Sequence, residues 1–452
     1  MDEGLTARLG RFVAETPSAA IPAAARDRAR ISLIHNLCVA LSAQGRARVA
    51  SDYARAFHGQ PAEASLLEGG GRVALEVAAF ANGALFHGRS QDDTHPASTS
   101  HPGAPVMAAA LAVAEAEGAE GRAFLDAVIL GYEALCRIGR DFDEDLTGRG
   151  FRAASVFGSF GAAAAASRLM GLDAVQTGHA LAFAAHQAGG LAQVWVEGSP
   201  EYPMQLGLGA RNGVASARLA ASGLRAGAHM LEGRAGLYAA YGGVTAPPVE
   251  ALAGLGRDWQ IAEATVKAYP ACAILQGPLE ALDRLLESAG GAVRRLMLDL
   301  NPYEADYPGI DNPGPGFASA TATKMSAQFC LAVMALERRL SLADLSRLDD
   351  PAVLDLAGRI EVRRNAGIQP RHCVLRVELA NGDRLEGAIT APVGRPDFPQ
   401  ISRFAKGMRP EMGMDGAQVG ALLDCVEGID RQDSVAPLIA ACLGAGEKSH
   451  EA

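Results

Sequence analysis

Residues 155–173 read SVFGSFGAAAAASRLMGLD, a mostly apolar run in which alanine and glycine predominate. Alanine has the strongest intrinsic preference for the helix. Side chains this small also allow the axes of neighbouring helices to approach closely. Four further segments have the same character, at 20–45, 121–142, 174–193 and 205–224. The pattern therefore predicts one large all-helical domain of closely packed helices.

The pattern changes after Pro270. Residues 293–301 and 358–365 alternate between apolar and polar side chains, as strands do. Residues 373–389 contain two such runs around Asn381-Gly382, the pair preferred in a two-residue hairpin turn. Helical segments are predicted at 320–340 and 345–359.

We therefore predict a mainly α protein with two domains. Residues 1–268 and 396–452 form the large all-helical domain, and residues 269–395 form a smaller α+β domain. The last few residues are rich in charge, and we expect them to be frayed.

Composition excludes several classes of protein. The 452 residues contain 41 Lys and Arg against 51 Asp and Glu, and the net charge of −10 argues against nucleic-acid binding. We find no signal-peptide pattern and no apolar run of about 20 residues that could span a bilayer, so we expect no membrane partner. The seven cysteines form no C-x-x-C pair, which fits unpaired thiols in a reducing cytoplasm.

Nucleotide-binding motifs are also absent, since no G-x-G-x-x-G follows a predicted strand and no Walker sequence occurs. We therefore expect an enzyme that uses no cofactor, in which side chains alone perform the chemistry.

The most polar loop is NGALFHGRSQDDTHPASTSHPGAP, residues 82–105, directly before an apolar helix. It concentrates ionisable and hydroxyl groups where acid–base sites are usually built. An Asp-rich cap with two surface histidines explains the same residues about equally well. A metal site is a third interpretation, because carboxylate and imidazole are ordinary ligands. The residues concerned are Asp92, Asp93, Thr94, His95 and His101.

The order of motifs along the chain resembles the MmgE/PrpD family. It runs from FANGALFHGRSQDDTHPASTSHPGAPV through ILGYEALCRIGR, SVFGSFGAAAAASRLMGLD and GARNGVASARLAASGL to LEGRAGLY and VKAYPACAILQGPLEAL. The resemblance implies a large helical domain, a small α+β domain, a homodimer, and action on small di- and tricarboxylates without metal or organic cofactor.

Five positions match the family's active-site motifs, and one in the loop does not. Asp92, Asp93 and Thr94 match the loop, His101 matches its H-P-[SG] step, and Ser90 replaces an aspartate. The lysine of K-x-[YF]-P is Lys267.

Other positions depart from the family pattern. Arg152 stands where a basic residue or histidine is frequent, and Tyr202 replaces a lysine. Cys272 replaces a histidine of the decarboxylase branch, and Phe329 replaces a phenol.

Each candidate has a chemical role. His101 suits an acid or base, because histidine titrates near neutrality. Lys267 would stabilise negative charge, or donate a proton if burial lowered its pKa. Arg152 could clamp a carboxylate in a bidentate manner. Two roles are open for the aspartates: one of them orients His101 or His95, or Asp93 only caps the following turn.

The full prediction divides these residues into two sets. The catalytic set is His101, Lys267, Asp93 and Thr94; the substrate-binding set is Ser90, Asp92, His95, Arg152, Tyr202 and Cys272.

The predicted function is a cofactor-independent lyase of the dehydratase type, acting by α-proton chemistry on a small di- or tricarboxylate. Epimerisation and decarboxylation of a related carboxylate are alternatives, as is a catalytically silent binding protein on the same scaffold. Because a lysine is lost at Tyr202, a modified dicarboxylate is favoured over a full tricarboxylate such as 2-methylcitrate.

Overall fold

The computed structural model describes residues 4–57, 59–140, 142–244, 249–287 and 289–444. The chain divides into two compact units. The first comprises residues 1–191, 203–264 and 396–452, and the second comprises 192–202 and 265–395. The segments 192–202 and 265–268, which the sequence assigned to the helical domain, thus belong to the second unit. The tail expected to be frayed, 445–452, lies outside the described residues.

The helices, in chain order, are α1 Leu5–Glu15, α2 Ala23–Leu41, α3 Arg48–Arg55, α4 Leu75–His87, α5 Gly103–Glu117, α6 Gly121–Gly139, α7 Asp143–Gly148, α8 Ala153–Leu169, α9 Ala174–Gln187, α10 Gln193–Glu197, α11 Tyr202–Ala221, α12 Gln276–Glu287, α13 Pro302–Ala305, α14 Ala320–Met325, α15 Ala327–Glu337, α16 Pro351–Ala357, α17 Phe398–Gly407, α18 Arg409–Met412, α19 Gly416–Glu427 and α20 Ala436–Leu443. The strands are β1 Ala64–Ser65, β2 Arg72–Val73, β3 Val293–Leu300, β4 Ile360–Arg364, β5 Cys373–Leu379 and β6 Arg384–Ile389.

The first unit is a helical body in which α8 packs against α5, α6 and α9. Small residues bring α6 and α8 together: a Cβ added to Gly131 would lie 2.8 Å from the Gly161 carbonyl oxygen. The same Cβ would lie 2.6 Å from Cγ1 of Val106 in α5. The close packing predicted from the alanine- and glycine-rich segments is therefore present where three helices meet.

One feature of this unit is not helical. Strands β1 and β2 form a short antiparallel ribbon, in which Ala64 pairs with Val73 and Ser65 with Arg72. The first unit is thus predominantly rather than entirely α-helical. The fold class, a large helical part with a smaller α+β part, is confirmed.

The second unit contains a four-stranded mixed sheet in the order β4-β3-β5-β6. Strands β3 and β4 are parallel, and the other neighbours are antiparallel. Leu296, Leu298 and Leu375 are buried in the core of this unit, where α12 and α15 pack on the strands. Ion pairs such as Arg295–Glu361 join exposed residues of β3 and β4, so the alternating pattern follows the two faces of the sheet.

Two local predictions were wrong in detail. The β5–β6 hairpin has a three-residue loop, because Leu379 pairs with Asp383 and Gly382 takes a left-handed φ of +92°. A left-handed glycine after a tight turn is the usual way to close a three-residue hairpin loop. The single helix predicted at 320–340 is two helices, broken at Ser326, whose side chain accepts a hydrogen bond from the Phe329 amide and caps α15.

Among the residues described, no helix combines the length and the apolar character that crossing a membrane requires.

Candidate active site

The predicted polar loop joins α4 to α5 in the first unit and is almost completely buried. Every residue from Arg89 to His95 is buried. Ser90 takes a left-handed φ of +58°, and its amide donates to the His87 carbonyl to form the turn that ends α4. Polar groups withdrawn from water in this way must be satisfied by hydrogen bonds, and those bonds fix the side chains of the loop.

Asp93 anchors the loop to the surrounding helices. Its Oδ1 accepts from the Gly103 amide at 2.9 Å, at the start of α5, and its Oδ2 accepts from the Tyr132 hydroxyl at 2.5 Å. The pKa of this carboxyl is raised to about 6, mainly by burial and also by the neighbouring Asp92 charge, while the bond from Tyr132 acts in the opposite direction. The carboxylate therefore ties the loop to the start of α5 and to α6.

Asp92 orients a histidine that the sequence analysis did not select. His87, the last residue of α4, donates from Nδ1 to Asp92 Oδ1 at 2.8 Å. The other ring nitrogen, Nε2, lies 2.6 Å from an Nη of Arg152. Because a guanidinium can only donate, Nε2 accepts this bond and the imidazole is the neutral Nδ1–H tautomer. The result is a buried chain from carboxylate through imidazole to guanidinium.

Arg152 immediately precedes α8 and is held on several sides. Its Nη1 donates to Gln205 Oε1 at 2.9 Å, and the same oxygen accepts from the Ser155 hydroxyl at 2.9 Å. The Arg152 amide donates to the Gly190 carbonyl. The predicted carboxylate clamp is thus a buried guanidinium of fixed orientation beside the loop.

His101 is the more accessible of the two histidines in this cluster. Its side chain keeps 15% of its surface exposed, and its ring centre lies 5.1 Å from that of His87. The Nδ1 atom donates to the Asp93 carbonyl at 3.0 Å and lies 3.4 Å from Thr94 Oγ1 and 4.0 Å from Asp92 Oδ2. A backbone carbonyl, rather than an aspartate side chain, therefore sets the His101 tautomer, and the basic lone pair of the neutral ring is on Nε2.

His95 has a structural setting. Its Nδ1 lies 2.8 Å from Ser98 Oγ, and its backbone pairs with Ser100 in an isolated bridge. These bonds hold the turn that precedes His101, so His95 shapes the loop.

The remaining predicted residues, Lys267, Tyr202 and Cys272, lie in the second unit. Lys267 is buried, with 2% of its surface exposed. Burial raises the pKa of the Cys272 thiol, although the Lys267 charge partly opposes this. A raised thiol pKa disfavours the thiolate and argues against a nucleophilic role for Cys272.

Tyr202 has a cation beside it that the sequence did not reveal. Lys324 Nζ donates to the Tyr202 hydroxyl at 2.7 Å and lies 4.5 Å from the centre of its ring. The indole of Trp195 packs on the same phenol with ring centres 5.3 Å apart. Tyr202 stands where the family has a lysine, but Lys324, 122 residues further along the chain, places a cation beside the phenol. Phe329 is buried against Phe317.

Within the described ranges, no three His, Cys, Asp or Glu side chains are grouped so that they could hold a metal ion.

Comparison with known proteins places the chain in a family. Residues 7–249 match the model of the MmgE/PrpD N-terminal domain, and residues 269–401 match that of the MmgE/PrpD C-terminal domain. The chain belongs to the MmgE/PrpD family.

Curated relatives of the chain include cis-aconitate decarboxylases. Over 402 residues, 82% of this chain and 81% of the relative, it is 28% identical to a cis-aconitate decarboxylase of Aspergillus terreus. It is 26% identical to the human cis-aconitate decarboxylase over 362 residues, 74% of this chain and 73% of the relative. Together with the family match, these relatives support an enzyme that acts on a carboxylate.

Proposed function

We propose that this protein is a cofactor-independent lyase that moves a proton at the carbon next to a carboxylate of a small di- or tricarboxylic acid. The observation that carries the proposal is the setting of His101. Its Nδ1 is occupied by the Asp93 carbonyl, so the neutral ring directs its basic character to Nε2. A partly exposed imidazole with a fixed tautomer is suited to exchange a proton with a bound substrate.

Negative charge on the substrate is matched by Arg152. A buried guanidinium of fixed orientation binds a carboxylate with two parallel hydrogen bonds and discriminates against uncharged groups. It would also stabilise the enediolate-like charge that develops when an adjacent carbon loses its proton. The same contact would therefore select the substrate and assist its reaction.

Dehydration remains our first candidate reaction. His101 would take the α-proton and, as the protonated imidazole, pass it to the hydroxyl on the neighbouring carbon, which leaves as water while the carbon–carbon double bond forms. Lys267 would stabilise the negative charge that develops on the substrate. Replacing Lys267 with methionine should lower kcat by about 100-fold, whereas Lys406→Met, at an exposed position, should not. An unchanged kcat in Lys267→Met would remove this residue from the mechanism.

Decarboxylation is the second candidate, and the cis-aconitate decarboxylases among the relatives favour it. In that reaction the bond to one carboxylate breaks, carbon dioxide leaves, and an acid such as His101 returns a proton to the carbon. The residues Cys272 and Phe329 depart from the family pattern and weigh against a simple transfer of this activity.

The Tyr202–Lys324 pair widens the range of candidate substrates. The sequence favoured a dicarboxylate because the lysine at position 202 is lost. With Lys324 bonded to Tyr202, cationic charge is retained beside this residue in the second unit. Full tricarboxylates therefore join modified dicarboxylates as candidate substrates.

The test is incubation of the purified protein in heavy water with a panel of acids, including cis-aconitate, 2-methylcitrate and citrate, followed by proton NMR. A new vinyl proton with loss of water identifies a dehydratase, and carbon dioxide release identifies a decarboxylase. Exchange of an α-proton without a change of carbon skeleton identifies an epimerase. Binding of these acids without any product would instead support the catalytically silent protein and refute the proposal.

A further inference from the structure

The chain from Asp92 through His87 to Arg152 is not explained by proton transfer at His101. His87 is buried, at the end of α4, and both ring nitrogens are occupied by these two residues. A ring held in this way is poorly placed to exchange protons with a ligand. It is well placed to hold the guanidinium.

Two of the acceptors that hold Arg152 share one property. Two of its donors go to neutral atoms, one to His87 Nε2 and one to Gln205 Oε1. A direct pair with a carboxylate would fix the guanidinium equally well but would also cancel its charge, because both charges would be in contact in a medium of low polarity. Neutral acceptors fix the geometry while these contacts leave the charge in place.

Asp92 completes the arrangement at a distance. Its carboxylate is one imidazole ring away from the guanidinium, and it fixes the tautomer that makes Nε2 an acceptor. If Nδ1 lost this partner and Nε2 carried the proton, Nε2 would present an N–H to Arg152 and repel it. The aspartate therefore orients the arginine through the histidine.

We propose that His87 is the positioning residue of a substrate-carboxylate clamp formed by Arg152, which it holds in place without neutralising it. This rests on the proposed function, because it identifies Arg152 as the group that binds a substrate carboxylate. It assigns His87 no contact with the substrate.

Two neutral substitutions of His87 separate the proposal from a structural role. Glutamine places its side-chain oxygen close to the position of Nε2 and can still accept from Arg152. Asparagine reaches only as far as Nδ1 and keeps a donor to Asp92 but no acceptor for Arg152. We expect KM in His87→Gln to stay within about threefold of wild type. In His87→Asn, KM should rise about 10- to 100-fold, the scale of one hydrogen bond to a charged group, with a smaller change in kcat. Equal KM values in the two variants would overturn the proposal.

A third substitution tests the importance of neutrality. His87→Glu retains an acceptor for Arg152 but places a negative charge in contact with it. KM should rise well above that of His87→Gln, even though the arginine remains held. Equal KM values in the glutamate and glutamine variants would show that the charge of the acceptor does not affect substrate binding. This comparison also decides the matter if the asparagine variant fails to fold.

The dependence on Arg152 is tested by combining substitutions. In an Arg152→Gln background, His87→Asn should change KM by less than about threefold, because the group it positions is gone. An undiminished effect in that background would show that His87 acts on something else. His179→Gln, a half-buried histidine of α9 in the same unit, serves as the matched control and should leave KM and kcat unchanged.

Calorimetric binding of propane-1,2,3-tricarboxylate to the full chain separates this inference from the proposed function. If wild type converts no acid of the panel, the lyase proposal fails, and the order of dissociation constants among the His87 variants still tests the clamp. If wild type is active but the variants do not differ, the clamp fails alone.

Discussion

His101 is the residue on which the proposed chemistry depends most directly. Its replacement with alanine removes the only side chain of the loop assigned to proton transfer, so kcat/KM should fall by about 100-fold or more. Steady-state kinetics on the acid found by NMR checks this. Circular dichroism and the melting temperature should remain close to wild type, because the His101 side chain is partly exposed. Unchanged turnover in a folded variant would assign the proton transfer to another group.

The raised pKa of Asp93 predicts that the stability of the folded protein depends on pH. Its pKa is raised from 3.8 to about 6 in the folded chain, mainly by burial. The folded state therefore holds this proton over a range where the unfolded state has lost it. Below pH about 4 the protonated carboxyl does not lower the free energy of unfolding. As the pH rises through 4 to 6 the destabilisation grows, and above pH about 6 it is complete. A shift of two units corresponds to about 3 kcal/mol as an order of magnitude.

Asp93→Asn carries no such titration and isolates the effect. The melting temperature of the variant minus that of wild type should increase between pH 4 and pH 7. A constant difference over this range would show that Asp93 has an ordinary pKa in the folded chain.

At the scale of elements, the close approach of α6 and α8 depends on Gly131. A methyl group there would meet the Gly161 carbonyl oxygen and Val106, neither of which can move without shifting a helix. We expect Gly131→Ala to destabilise the protein by about 1–3 kcal/mol, as overpacking does. The matched control is Gly420→Ala in α19, where an added Cβ has nothing within 4 Å. This control should be neutral or stabilising, because alanine is the better helix former. Denaturant unfolding distinguishes the two, and equal stabilities would contradict the packing argument.

The elements also show where sequence periodicity was sufficient. Strands at 293–301 and 358–365 and the paired strands of 373–389 were predicted within a few residues, because one face of the sheet is apolar and alternation records it. The break at Ser326 was missed because the apolar pattern continues across it, and only the capping bond to Phe329 shows that the helix restarts.

At the scale of the whole molecule, we propose a homodimer, on the resemblance to the family and on the alanine- and glycine-rich helices. Light scattering at micromolar concentration should report about twice the 46.7 kDa mass of the chain. A clean monomer under these conditions would refute the dimer. Measurement of turnover in the same concentration range would then show whether activity depends on association.

The fold class, the family and the position of the polar loop could be predicted from the residues alone, because each is recorded by residues close together along the chain. The roles within the loop could not, because they depend on contacts between residues far apart in the sequence. His87 meets Arg152 across 65 residues, and Lys324 meets Tyr202 across 122. Histidine, arginine and lysine are common residues with no characteristic spacing to distant partners. Their significance here comes from burial, which removes water as an alternative partner and makes the nearest side chain decide what each group can do.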